Sequence, residues 1–172
     1  YAPASSTKIV KIEKQNVALD KRKDISYEIG FGGKLKSASK LEDMEWIPNE
    51  KIKTFANDIL FAGYGNENVL RIRLWEAERK DKSSPDLKKN ITNITDFLYP
   101  PDGTEDGKRL RLRQEYLLTS ASIQDLFERF KKTKLDISEI DKFLAVQLND
   151  THPTLAIPEI IRILMKDYNF SY

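Results

Sequence analysis

Phe143-Leu-Ala-Val-Gln-Leu-Asn-Asp-Thr-His-Pro-Thr-Leu-Ala-Ile-Pro-Glu159 changes its period midway. The apolar run from Phe143 to Leu148 is too short and too rich in β-formers for a helix, and it predicts a short buried strand. From Pro153 to Lys166 the spacing is helical, with Ile157, Ile160, Ile161 and Leu164 marking the inward side and Pro158 tolerated only in the first turn. A strand that feeds a helix belongs to α/β architecture, in which ligands bind at the carboxyl ends of strands beside helix N-termini. Asn149, Asp150, Thr151 and His152 occupy that junction and can offer an acceptor, donors and an imidazole to one small polar ligand. The same residues suit plain capping, with Asp150 or Thr151 as N-cap and His152 merely exposed.

Upstream of this junction, a long helix is predicted from Gly107 to Lys134, its apolar set including Leu110, Leu117, Ala121, Leu126, Phe127 and Phe130. Tyr99-Pro-Pro-Asp-Gly103 ahead of it must be a loop, since paired prolines followed by Asp-Gly cannot continue a helix. Ile91, Ile94, Phe97 and Leu98 have helical spacing, after a charged connection from Lys80 to Lys89. The first half is β-rich: Tyr27, Ile29 and Phe31 alternate with Glu28 and Gly30, and Gly32-Gly33 turns the chain toward Leu35. Further strands are expected at Met44 to Ile47 and Ile52 to Leu60. Leu70, Ile72 and Leu74 face away from Arg71 and Arg73, and Trp75 closes that run. Residues 1–24 read as a lead-in, with a short strand at Ile9, Val10 and Ile12 before the charged stretch Asp20 to Asp24, and residues 25–172 as one partial domain.

Composition narrows the chemistry. The 172 residues suffice for one ordinary domain, and 29 basic against 27 acidic side chains leave a net charge of +2. That balance argues against nucleic acid or an anionic membrane as partner. Without cysteine there are no disulfides, thiolate metal sites or cysteine nucleophiles, and the lone histidine rules out a two-histidine metal site within the chain. No apolar stretch approaches the roughly 20 residues of a membrane-spanning helix. Tyr1 to Lys8 is not a signal peptide and the chain does not begin with Met, which points to a fragment or a processed chain. N-x-S/T triplets at Asn90, Asn93 and Asn169 carry no weight without other signs of secretion.

The loop from Tyr99 to Gly107, with Asp102, Glu105 and Asp106, suits a gate over a polar site, or else a plain surface connection. Lys108, Arg109, Arg111 and Arg113 crowd the start of the following helix, where cations are disfavoured. They invite an acidic or phosphate partner, or pair with neighbouring Glu105, Asp106 and Glu115.

Two motifs here carry a family resemblance. Phe97-Leu-Tyr-Pro-Pro-Asp-Gly-Thr-Glu-Asp-Gly-Lys-Arg-Leu-Arg-Leu-Arg-Gln-Glu-Tyr116 resembles the L-Y-P-x-D and G-K-x-L-R-L-x-Q-x-Y patterns of glycogen and starch phosphorylases. Ser120 to Asp125 and Arg129 to Lys131 continue it. Val146 to Glu159 is similar almost throughout to their V-x-L-N-D-T-H-P-x-L-A-I-P-E, and Arg73-Leu-Trp75 to their L-R-L-W. The resemblance implies an α-glucan phosphorylase, which splits terminal α-1,4 bonds with phosphate and releases glucose 1-phosphate. It further implies part of the N-terminal domain of a two-domain GT-B-type glycosyltransferase, α/β in class, with a β-rich first half and an α/β second half. Its cofactor in the complete enzyme is pyridoxal phosphate, whose lysine is not in this chain; its partners are α-glucan, phosphate and the missing C-terminal domain; its location is cytoplasmic. Asp102 and, more weakly, Gly103 match the loop that gates the catalytic cleft. Asp150 and His152 match residues beside the bound glucose, with a positioning role and no proton transfer assigned to them.

Departures from the pattern are informative. Gly103 stands where many members have a sugar-touching Asn, Thr104 and Glu105 where animal enzymes have the two Phe of a purine site, and Glu128-Arg129 where they have two AMP-binding arginines. A carboxylate at 128 repels phosphate, so AMP activation is not expected. The connection from Trp75 to Tyr99 is shorter than that of members whose helix makes the dimer contact, which leaves the usual homodimer unsupported. Because the family's cofactor lysine and phosphate-binding basic cluster lie in a later, C-terminal domain and nothing here matches them, the chain alone is expected to be inactive. The competing reading is a glucan-binding or regulatory module of the same descent, without catalysis.

Overall fold

The computed structural model describes residues 11–12, 15–16, 19–36, 40, 43–65, 67–78, 94–96 and 100–171. Ile9, Val10, the connection Lys80 to Lys89, and Ile91, Phe97 and Leu98 lie outside the described residues, while 94–96 are helical. The strands are β1 (Lys11–Ile12), β2 (Gln15–Asn16), β3 (Asp20–Phe31), β4 (Lys34–Lys36), β5 (Glu45–Ile47), β6 (Glu50–Ala62) and β7 (Val69–Ala77). The helices are α1 (Glu105–Thr133), α2 (Ile140–Phe143) and α3 (Ala156–Asp167), with 3-10 turns at Ile137–Glu139 and His152–Leu155. The chain falls into two units, one of residues 1–28 and 52–114 and the other of residues 29–51 and 115–172.

In the first unit β3, β6 and β7 are neighbours in that order, and β6 pairs with β7 antiparallel, placing Ala56 opposite Trp75 and Asp58 opposite Arg73. Alternation on β6 buries Ile52, Thr54, Ala56 and Asp58 on one face, joined from β7 by Trp75 and Ala77. The alternation expected for β7 holds, with Leu70, Ile72 and Leu74 on the face opposite Arg71 and Arg73. Arg73 lies on the buried face, and Leu70 and Ile72 are 64% and 43% exposed. The cause is Asp58, whose two oxygens accept from Arg73 Nε and Nη2, both at 2.7 Å, with Arg71 and Arg22 at 3.5 and 3.7 Å. A desolvated carboxylate draws its guanidinium inward, since an unpaired buried charge costs more than an exposed leucine. β3 also begins earlier than the alternation from Ser26 suggests, because its charged residues have partners: Lys21 meets Glu76 at 3.4 Å, and Arg22 meets Asp24 at 2.7 Å. That guanidinium holds the Asp24 carboxyl down to about 2.

The second unit packs the end of β3, the β4–β5 pair and the helices. Ile123, Phe127, Ala156 and Ile163 form its core, with Leu126, Ile137, Ile140, Leu148, Ile160, Leu164 and Tyr168 packed around them. α1 matches its predicted span within two residues, with Glu105 and Asp106 in the first turn and Lys131 and Lys132 in the last complementing the helix dipole. α3 is rotated in part from its predicted face: Ile160 and Leu164 pack on the core as expected, but Ala156, Glu159 and Ile163 are buried, whereas Ile157 and Ile161 are 55% and 37% exposed. Glu159 causes the rotation by taking hydrogen bonds from Ser120 Oγ at 2.6 Å, Tyr116 Oη at 3.1 Å, and Arg162 Nε and Nη2 at 2.8 and 3.0 Å. The predicted strand from Phe143 to Leu148 does not form. Phe143 ends α2, residues 144–149 carry no strand ladder, and Phe143 and Val146 are exposed. A β-rich run becomes a strand only where a neighbour pairs with its backbone.

Candidate functional site

Asp150 and His152 are brought together, on a ground other than the strand-end argument that proposed them. Asp150 has φ +75°, a left-handed conformation that short polar side chains tolerate by bonding to nearby backbone. Its Oδ1 accepts from the Thr151 N–H at 2.6 Å and the Thr151 hydroxyl at 3.2 Å. These bonds, the backbone one foremost, hold the Asp150 carboxyl below the usual range. Thr151 stands at the N-cap of the 3-10 turn at His152–Leu155, as the capping alternative has it, but makes no side-chain cap bond. Pro153 is buried at the start of that turn and Thr154 Oγ1 donates to the Thr151 carbonyl at 2.6 Å, which fixes the segment on both sides of His152.

The imidazole is held from α1. His152 Nδ1 lies 2.7 Å from Glu115 Oε1, and Nε2 lies 3.7 Å from Asp150 Oδ2. Next to Glu115, the Tyr116 ring stands edge-on to Phe31 and Trp46 with centroids 5.8 and 6.3 Å away, while its hydroxyl donates to Glu159. Burial and the Glu159 charge push the Tyr116 hydroxyl up to about 12. Sequence reasoning considered Glu115 only as a partner for arginines; its contact with His152 spans 37 residues, and no local pattern announces it.

Asp102 and Gly103 belong to the other unit. Asp102 pairs with Arg111 Nη1, and Gly103 has open space where a side chain would stand. Thr104 Oγ1 accepts from the Gly107 N–H at 3.1 Å, which makes it the N-cap of α1. A Cβ on Gly107 would meet the Pro101 carbonyl at 1.9 Å, so this glycine is what allows the loop to close on the helix. Lys108 pairs with Glu105 at 2.8 Å, so two members of the basic cluster, Lys108 and Arg111, are matched by adjacent acids. Glu128 binds Lys131 at 2.6 Å and Arg129 reaches Asp125 at 3.3 Å. No group of three or more potential metal ligands occurs among the described residues.

The described residues make a mixed α/β segment in which an Asp–Thr–His turn is held against a long helix through Glu115. Residues 11–172 match the family described as carbohydrate phosphorylase, and the chain belongs to that family. It is 41% identical over 169 residues to glycogen phosphorylase 2 of Dictyostelium discoideum, covering 88% of this chain and 17% of that protein. It is 40% identical over 162 residues to the H isozyme of alpha-glucan phosphorylase of Vicia faba, covering 85% and 19%. With the cytosolic alpha-glucan phosphorylase 2 of Arabidopsis thaliana it shares 36% identity over 164 residues, covering 85% and 19%. The chain thus spans less than a fifth of the length of these relatives.

Proposed function

We propose that this chain is a segment of the N-terminal domain of an α-glucan phosphorylase, and that Asp150 and His152 position a glucosyl unit there. In the reaction phosphate replaces the terminal α-1,4 oxygen at C1, giving glucose 1-phosphate and a glucan one unit shorter. Family membership and the names of the relatives support the activity. The sugar role is carried by one observation. An imidazole nitrogen and a carboxylate oxygen stand 3.7 Å apart on an accessible turn, while the other polar atom of each side chain is engaged. Two such atoms match the spacing of sugar hydroxyls and bind them directly or through water. Asp102 and Gly103 belong, in this reading, to the gating loop.

Pyridoxal phosphate needs a lysine whose amine is desolvated and easily deprotonated. Lys21, Lys36, Lys108, Lys131 and Lys142 are each about half exposed or more and paired with a carboxylate, and Glu128 pushes the Lys131 amine further up. These residues do not fit the cofactor. Its lysine and the phosphate-binding groups are assigned to the C-terminal domain, residues 25–172 to part of the N-terminal domain, and this chain alone carries out no phosphorolysis. A cytoplasmic location accords with the relative named cytosolic; no helix among the described residues is long and apolar enough to cross a membrane.

In the complete enzyme, Asp150→Asn and His152→Ala are expected to raise KM for maltodextrin about 5- to 30-fold, as loss of a hydrogen bond or two does. Unchanged kinetics for maltodextrin and phosphate in both variants would sink the assignment.

A further inference from the structure

We infer that Glu115 is the positioning residue that sets the tautomer of His152, leaving Nε2 as a hydrogen-bond acceptor for a sugar hydroxyl; this rests on the sugar-positioning reading above. His152 Nδ1 and Glu115 Oε1 are in contact at 2.7 Å. An ionised carboxylate only accepts, so the proton of a neutral imidazole must sit on Nδ1. Nε2 then carries a lone pair. The nearest carboxylate atom to it, Asp150 Oδ2, is 3.7 Å away, too far for a hydrogen bond. The turn therefore presents two acceptors side by side, and the ligand that satisfies both is one with two hydroxyl donors on adjacent carbons. With the opposite tautomer, Nε2–H would turn toward Asp150 and the imidazole would no longer receive a hydroxyl proton.

Glu115 is suited to fixing this choice. It lies on α1, and its neighbour Tyr116 is anchored by Phe31, Trp46 and Glu159. The histidine is held from the other side by buried Pro153 and the Thr154–Thr151 bond. With both partners fixed, the short contact is set by packing as well as by attraction, as orientation of a histidine by its second nitrogen requires.

Because the chain has a single histidine, its imidazole nitrogens can be assigned without ambiguity by nitrogen-15 NMR. At about pH 8.5, above the ordinary imidazole range, the expected pattern is a protonated Nδ1 and an unprotonated Nε2. Glu115→Gln, whose amide accepts or donates equally well, should mix the two tautomers, and Glu115→Asp should restore the pattern in part. In the complete enzyme Glu115→Gln should raise KM for maltodextrin roughly 3- to 10-fold, as loss of about one hydrogen bond does, with a smaller change in kcat. A predominant Nε2–H tautomer in the unaltered chain overturns the inference, as does an unchanged pattern in Glu115→Gln. So does a normal KM in Glu115→Gln when His152→Ala raises it. If the tautomer behaves as stated but His152→Ala leaves KM unchanged, the sugar-positioning reading fails, and the positioning role of Glu115 with it.

Discussion

Glu159 and Asp58 are carboxylates with almost no exposed side-chain surface, and each is held by arginine in bidentate geometry. Such groups stabilise a fold only while every oxygen keeps its donors. Around Glu159 the phenol of Tyr116 is one of those donors, and this gives a testable pH dependence. The folded hydroxyl is raised from an ordinary value of 10.0 to about 12. The folded state therefore holds this proton where the unfolded state has lost it. Its contribution is complete below pH 10 and is lost as pH climbs toward 12. Urea unfolding followed over that window should show a loss of about 1–2 kcal/mol from this group, discounted for the solvent that still reaches the ring. Tyr116→Phe should flatten that part of the curve, and an equally steep fall in the variant would assign the slope to other groups.

At the scale of elements, Gly32 and Gly33 turn β3 into β4 with φ of +59° and +93°, and a Cβ on Gly33 would stand 1.9 Å from the Ile47 carbonyl. Gly65 also has positive φ, at +65°, but nothing within 4 Å. The two positions separate backbone strain from close approach. Gly65→Ala should cost about 1–2 kcal/mol through its left-handed conformation alone. Gly33→Ala should cost about 2–4 kcal/mol, because β5 must also move; equal losses in denaturant unfolding would show that the contact gives way freely. The Gly-Gly break, both long β-strands, α1 and the Asp–Thr–His turn were legible in the sequence, since period and turn chemistry are local signals. Which face of β7 is buried was not, nor was the full facing of α3. Asp58 and Glu159 each pull polar partners inward across the chain, and apolar spacing is silent about buried charge. Glu115 was hidden for the same reason, whereas Asp150 and His152 were visible because a motif places them side by side.

For the whole molecule, the surface that matters most to its behaviour in solution is the outer end of the β6–β7 pair. Register sets Phe61 opposite Leu70 and Ile59 opposite Ile72, which gathers Phe61, Leu70 and Ile72 on one exposed face. β7 is also the last strand of its sheet among the described residues, so an apolar face adjoins a sheet edge. That combination favours pairing with another chain, and charges pointing along the edge are the usual defence. Arg71 and Arg73 supply charge, but on the opposite face, where Asp58 engages them. The chain is therefore expected to bind a hydrophobic dye while folded and to sediment as larger species with rising concentration. Leu70→Lys with Ile72→Lys should reduce both effects severalfold without changing helix content by circular dichroism, since neither side chain enters a core. Undiminished dye binding and association in the double variant would locate the sticky surface elsewhere, with the groove of Leu35, Met44, Trp46 and Ile161 in the other unit as the next surface to charge.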